Sequence, residues 1–144
     1  RLSMTKATPK PQPVSQPESD RYWDGLKVEE IWLQRSKKTG EYQFYPRAIS
    51  IHDPASGPEG VEWVQASGNA TLYTFAIVHA APHPGFVGDL PYVTALVELE
   101  EGVIVPTNIV GVDPEPESFQ IGMALKPVFD HNENAHTLLK FAPA

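Results

Sequence analysis

Fifteen of the 144 residues are proline, about twice the usual share of roughly 5%, and they run from Pro9 to Pro143. Each proline removes a backbone donor and clashes with the helical turn before it, so a chain punctuated this densely cannot be all helix. Short extended pieces joined by turns are the expected alternative. Hydrophobic residues make up 41% of the chain and charged residues 20%, enough for a real core and against wholesale disorder. The length suits one domain of ordinary size with room for a small appendage.

Four stretches differ in pattern. Residues 1–17 carry Pro9, Pro11, Pro13 and Pro17 among polar groups and are expected to be a flexible, proline-rich tail. In 18–29, Ser19 is placed to cap a short helix whose Tyr22, Trp23 and Leu26 make one aromatic face, with Gly25 weakening the run. Residues 30–65 break into extended pieces at 30–34, 41–45 and 61–65, separated by turn-rich segments, as in a small ribbon with little core of its own. Residues 66–144 are plainly β.

In 71–79 the side chains alternate, Tyr73, Phe75, Ile77 and His79 pointing one way and Leu72, Thr74, Ala76 and Val78 the other. Both sets are largely apolar, as in a barrel wall covered on its outside. Residues 92–99 and 103–110 form a hairpin about Glu100, Glu101 and Gly102, and further strands are expected at 124–129 and 137–141. Five or six strands at this spacing predict a small closed barrel of the OB type, with a sandwich as the alternative. The fold class is thus mainly β: a short N-terminal helix, a small ribbon and a C-terminal five-stranded OB-fold barrel.

Composition removes several function classes. With no cysteine, the chain has no disulfide framework, thiolate zinc site, iron-sulfur cluster or cysteine nucleophile. No apolar run approaches the ~20 residues of a membrane span, and residues 1–17 lack the apolar core of a signal peptide, so a soluble cytoplasmic protein is expected. Residues 66–144 hold Lys126 and Lys140 against nine carboxylates, a charge of -7 that would repel a phosphate backbone. The ribbon aromatics Tyr42, Phe44 and Tyr45 are therefore expected to pack between ribbon and barrel rather than stack on nucleic acid.

Histidines offer little. His79 and His83 are four apart, but Pro82 and Pro84 forbid the helix that would align them for a metal. His131 and His136 flank Asn132, Glu133 and Asn134 in what reads as a solvated turn. There is no nucleophile-serine motif, phosphate-cradling glycine loop or dinucleotide fingerprint, so nothing points to an enzyme working alone.

Several ordered segments resemble a known family. They begin with Tyr22-Trp23-Asp24-Gly25-Leu26 and Gln34-Arg35, and continue through Tyr73-Thr74-Phe75-Ala76-Ile77-Val78-His79 and Pro82-His83-Pro84-Gly85-Phe86. Leu90-Pro91-Tyr92-Val93-Thr94-Ala95-Leu96-Val97-Glu98-Leu99, Asn108-Ile109-Val110-Gly111, Ile121-Gly122-Met123 and the closing Leu139-Lys140-Phe141-Ala142-Pro143 complete the series. From Tyr22 to Ala144 the chain resembles the acyl-CoA-associated OB-fold proteins of domain of unknown function 35. That resemblance implies an N-terminal helix, a rubredoxin-like zinc ribbon and an OB-fold. Where the family pattern has two CxxC pairs, this chain has Ser36 and Thr39, then Ser50 and Asp53. Neutral hydroxyls are poor zinc ligands, so a metal-free ribbon is expected, held by packing of Trp32, Tyr42, Phe44 and Trp63.

The resemblance further implies an accessory role beside a thiolase-fold enzyme acting on acyl-CoA thioesters in a thiolase, retro-aldolase or acyltransferase reaction. The partner would supply the catalytic residues and this chain would help form the acyl-CoA channel, in a hetero-oligomer with coenzyme A thioester as the shared substrate and no tightly bound cofactor. Arg35, Lys37, Lys38 and Arg47 are the candidates to face coenzyme A phosphates. His79, His83, Phe86 and Tyr92, on and beside the proline-rich loop 80–91, are the candidates for the partner interface. A stand-alone acyl-CoA or lipid binder and, less favoured, a nucleic-acid binder are the alternatives.

Overall fold

The computed structural model describes residues 16–80, 84, 88, 90–133 and 135–144. A 3-10 turn at Pro17–Ser19 leads into helix α1, Asp20–Lys27, which buries Tyr22, Trp23 and Leu26. Ser19 occupies the N-cap position without capping. Its hydroxyl donates to the Gln16 carbonyl at 3.0 Å and accepts the Gln16 N–H at 3.1 Å, which ties the approach to the helix rather than the helix itself. Gly25 does more than weaken α1: a Cβ there would run into Trp32 Cδ1 and come within 3.1 Å of the Glu30 carbonyl oxygen, so its absence lets the next strand close onto the helix. The helix ends with Glu29 N–H on the Leu26 carbonyl (3.0 Å) and Glu30 N–H on the Gly25 carbonyl (2.8 Å), with Glu29 in the left-handed region at φ 61°. This closing turn uses up 28–30, and the first strand starts two residues later than the pattern predicts.

The ribbon is a three-stranded antiparallel sheet of β1 (Trp32–Ser36), β2 (Tyr42–Gln43) and β3 (Val61–Gln65) in the order β2-β1-β3. Opposite Arg35 lie Tyr42 and Glu62; opposite Gln34 lie Gln43 and Trp63. The two sets project to opposite faces of the sheet.

The remaining strands, β4 (Ala70–Val78), β5 (Tyr92–Leu99), β6 (Ile104–Ile109), β7 (Ala124–Asp130) and β8 (Leu138–Pro143), close into a barrel in the order β4-β5-β6-β8-β7. Closure settles the choice between barrel and sandwich. The β5–β6 hairpin turns as expected, with Gly102 at φ 94° and its N–H on the Leu99 carbonyl at 2.8 Å. In β4 the expected alternation fails because Leu72 pairs with Val97 while Thr74 pairs with Leu96. Tyr73 is the extra residue of a bulge, so Ala70 and Leu72 are buried before it, Phe75 and Ile77 are half-buried after it, and Tyr73, Thr74 and Ala76 are exposed. The outer surface of this strand is open, not covered.

Leu72, Val97, Leu99, Val105 and Phe141 fill the barrel, none more than 2% exposed. The core is continuous with Tyr22, Leu26, Ile31 and Leu33 from the helix and ribbon. β6 and β8 run parallel and share a single register pair, Ile109 with Phe141, helped by the Thr107 hydroxyl on the Leu139 carbonyl at 2.9 Å. That thin seam faces the helix. No helix among the described residues is long and apolar enough to cross a membrane.

Candidate functional site

Against the β6–β8 seam, α1 and the chain after β2 leave an open cleft of about 450 Å³, lined by Tyr22, Trp23, Phe44, Tyr45, Pro106, Thr107, Asn108, Leu138, Leu139 and Lys140. The aromatic rings brace one another edge-on: Tyr22 with Trp23 at 5.1 Å, Tyr22 with Phe44 at 5.4 Å and Phe44 with Tyr45 at 5.4 Å between centroids. The Trp23 indole N–H donates to the Tyr45 hydroxyl at 2.9 Å. Burial, and secondarily the neighbouring Tyr45, push the Tyr22 phenol well above its ordinary value, so it stays neutral. Lys140 is neutralised by Asp130 at 2.7 Å. The cleft is thus apolar and aromatic with small polar groups at its barrel edge.

The His136 ring lies 4.5 Å from that of Trp23, and His131 donates to the Glu29 carboxylate at 2.9 Å. His131, Asn132 and Glu133 are exposed, as a solvated turn requires, while the two flanking histidines reach back to Glu29 and Trp23. Their partners lie about a hundred residues away, outside the reach of local patterning.

On the ribbon, two buried glutamines organise the chain after β2. Gln34 donates to the Arg47 carbonyl at 2.7 Å and accepts the Arg47 N–H at 2.8 Å. Gln43 donates to Gln34 Oε1 at 2.7 Å and to the Ile49 carbonyl at 3.1 Å, and accepts the Ile51 N–H at 2.8 Å. In the sequence Gln34 figures only within the Gln34-Arg35 match and Gln43 not at all, because both read as ordinary polar strand residues.

The four candidate cations are not brought to one point. Arg35 lies on the face opposite this network, where it meets Glu62 at 2.7 Å and the Tyr42 hydroxyl at 3.4 Å; the Glu62 bond, then Tyr42, hold its guanidinium above its ordinary value. Lys37 and Lys38 are exposed in the β1–β2 turn, and the backbone of Arg47 is held on the Gln34 face.

Comparison with known proteins places this arrangement. The family model described as "ChsH2, C-terminal OB-fold domain" matches residues 63–130. A DUF35 domain-containing scaffold protein of Pyrococcus furiosus is 31% identical over 138 residues, 93% of this chain and 95% of that protein. The chain belongs to the DUF35 family. The DUF35 fold is shared with a structure titled "Ltp2-ChsH2(DUF35) aldolase", at a TM-score of 0.76 and 29% identity over 92% of this chain and 98% of that one. A DUF35-family structure of unknown function from Sulfolobus solfataricus shares the fold at TM-score 0.60 and 15% identity, with 90% of this chain and 87% of that one covered. The 3-oxo-4,17-pregnadiene-20-carboxyl-CoA hydratase alpha subunit of Mycobacterium tuberculosis is 33% identical over 123 residues, 83% of this chain. This DUF35 chain spans only 37% of that subunit's length.

The zinc ribbon implied for a DUF35 protein can be tested on the donors present. Ser36 Oγ accepts the Thr39 N–H at 3.2 Å, and Ser50 Oγ accepts the His52 N–H at 3.1 Å. The Thr39 hydroxyl accepts the Glu41 N–H at 3.2 Å, and the Asp53 carboxylate accepts the Ser56 hydroxyl. Three neutral hydroxyls and one engaged carboxylate do not fit Zn²⁺. Among the described residues no group of three or more His, Cys, Asp or Glu gathers elsewhere. Tyr42, Phe44 and Trp63 pack against the core as partly buried rings, while Trp32 is half-buried under the Arg21 guanidinium at 4.1 Å.

Of the candidate interface residues in this DUF35 chain, His79 is exposed and lines a second groove with Phe75, Ile77, Pro114, Glu115, Pro116 and Glu117. Tyr92 opens β5, half-buried and paired with Val78. His83 and Phe86 lie outside the described residues.

Proposed function

We propose that this chain is a non-catalytic OB-fold accessory subunit of a hetero-oligomeric, thiolase-fold enzyme acting on acyl-CoA thioesters. In this reading it stabilises the catalytic chain and helps form the acyl-CoA channel. The observation that carries the reading is the likeness to the DUF35 chain of the Ltp2-ChsH2 aldolase, which extends over 98% of that chain. The match to a CoA-ester hydratase subunit supports a CoA thioester as the shared substrate. The residues agree on the division of labour: without cysteine this chain has no thiolate nucleophile, and the Lys140 of the aromatic cleft is paired with Asp130. Lys37 and Lys38 are the cations proposed for the coenzyme A phosphates, with Arg35 set back by its bond to Glu62 and Arg47 held in the 45–51 loop by Gln34.

A stand-alone acyl carrier is the weaker reading, since the barrel interior is occupied by its own side chains. The deciding experiment is co-expression with a thiolase-fold protein from the same organism, followed by assay of acyl-CoA carbon-carbon cleavage. The expected result is a stoichiometric complex whose activity exceeds that of the thiolase-fold chain alone. Turnover of β-hydroxyacyl- or β-ketoacyl-CoA by this chain by itself would overturn the proposal.

A further inference from the structure

Three of the six large apolar side chains that stand exposed among the described residues fall in 45–51: Tyr45 at 38%, Ile49 at 37% and Ile51 at 53%. A loop free to relax would fold isoleucines inward against the sheet. This one is prevented from doing so. Ser50, between them, is fully buried, and the Gln43 amide grips the Ile49 carbonyl and the Ile51 N–H on either side of it. Gln34 grips both backbone groups of Arg47, and the two glutamines are only 3% and 4% exposed. Buried amides are thus used to hold an apolar loop outward, a costly arrangement for a surface with nothing to contact and an apt one for a surface that docks with little ordering cost.

We infer that 45–51 is the surface on which the catalytic chain of the proposed complex docks, an inference that rests on the accessory-subunit reading above. The partner it fits is a folded protein presenting an apolar patch bordered by a carboxylate. Arg47 is the single charged residue of 45–51, exposed and in no ion pair among the described residues. The barrel segment, by contrast, carries two lysines against nine carboxylates and repels an acidic rim. The ribbon, residues 30–65, is nearly balanced at four cations to five carboxylates, so an acidic rim meets far less repulsion there than at the barrel, and Arg47 gives it a local partner.

The test uses the full chain and a purified thiolase-fold partner of known sequence, with affinity measured calorimetrically. The Ile49→Asp/Ile51→Asp double variant should bind about 100-fold more weakly, as for loss of a hot spot, with an unchanged melting temperature. Ile121→Asp, at an exposed position elsewhere, should bind as wild type, and Arg47→Glu should associate about tenfold more slowly, less so at high salt. Hydroxyl-radical labelling of the wild-type complex needs no variant and should show Tyr45, Ile49 and Ile51 protected.

Full affinity of the double variant together with unprotected isoleucines would overturn this surface and leave the accessory reading standing. Failure of the wild-type chain to bind any thiolase-fold protein would overturn both. A wild-type dimer that the double variant abolishes, with partner binding intact, would overturn it in favour of a second copy of this chain.

Discussion

The side-chain amide of Gln43 donates to the amide oxygen of Gln34 at 2.7 Å, and between them the two side chains take up the backbone of Arg47, Ile49 and Ile51. This contact cross-links the β1–β2 pair to the loop that follows it, the connection a zinc ion supplies in a ribbon of thiolates. Replacing Gln34 by Met keeps the volume but leaves the Arg47 N–H and carbonyl without their partner. The expected cost is about 2–3 kcal/mol, from buried groups left unsatisfied. Thermal melts of the Gln34→Met variant check this, and the same melts with and without EDTA should coincide for the wild-type chain. A chelator-induced drop would show that a metal holds the ribbon after all.

Much of the fold was legible because it depends on near neighbours. The β5–β6 hairpin follows from alternation on both sides of Gly102, and α1 from the spacing of Tyr22, Trp23 and Leu26. Alternation misplaced the faces of β4 because one extra residue, Tyr73, shifts the register, and a period-2 reading cannot see a bulge that its partner strand imposes. The functional surfaces were harder. The aromatic cleft is assembled from segments far apart in the chain, and the glutamine network pairs side chains with loop backbone, which leaves no signature in side-chain pattern. Family resemblance drew attention to Ser36, Thr39, Ser50 and Asp53 as the ribbon's cross-linking positions and to Gln34 only as a flanking match, whereas the groups that cross-link the ribbon stand at Gln34 and Gln43.

Gly25→Ala tests the approach of helix to ribbon. On propensity alone alanine should stabilise α1 by up to about 1 kcal/mol. The new methyl meets the Trp32 ring and the Glu30 carbonyl, however, and neither yields freely, since the Trp32 indole N–H is bound to Glu30 at 3.0 Å and its ring lies beneath Arg21. Overpacking should dominate, for a net loss of about 1–3 kcal/mol in chemical denaturation.

Glu29→Gly should move stability the other way. A left-handed conformation costs a non-glycine residue about 1–2 kcal/mol, which glycine avoids. Against this stand the greater chain entropy of unfolded glycine, about 0.4–1 kcal/mol, and loss of the His131 ion pair, whose side chains are 47% and 62% exposed and which contributes little. The expected balance is a gain of about 0.5 kcal/mol in urea titrations; a loss above about 1 kcal/mol would mean the Glu29–His131 contact is a principal tie between helix and barrel.

Tyr22 sets the alkaline limit of the fold. Burial, with Tyr45 adding to it, raises the folded-state value of its phenol above the ordinary value of about 10 that applies in the unfolded chain. Above that pH the unfolded chain loses a proton that the folded chain keeps, so stability present below pH 10 falls as pH rises, by up to about 1.4 kcal/mol per pH unit. Tyr22→Phe retains the ring in its edge-on contacts with Trp23 and Phe44 but cannot ionise. Melting temperatures of the two proteins compared between pH 8 and pH 11 should therefore converge or cross as pH increases, the variant losing less. Parallel curves over that range would show that the phenol is not held in the protonated form by folding.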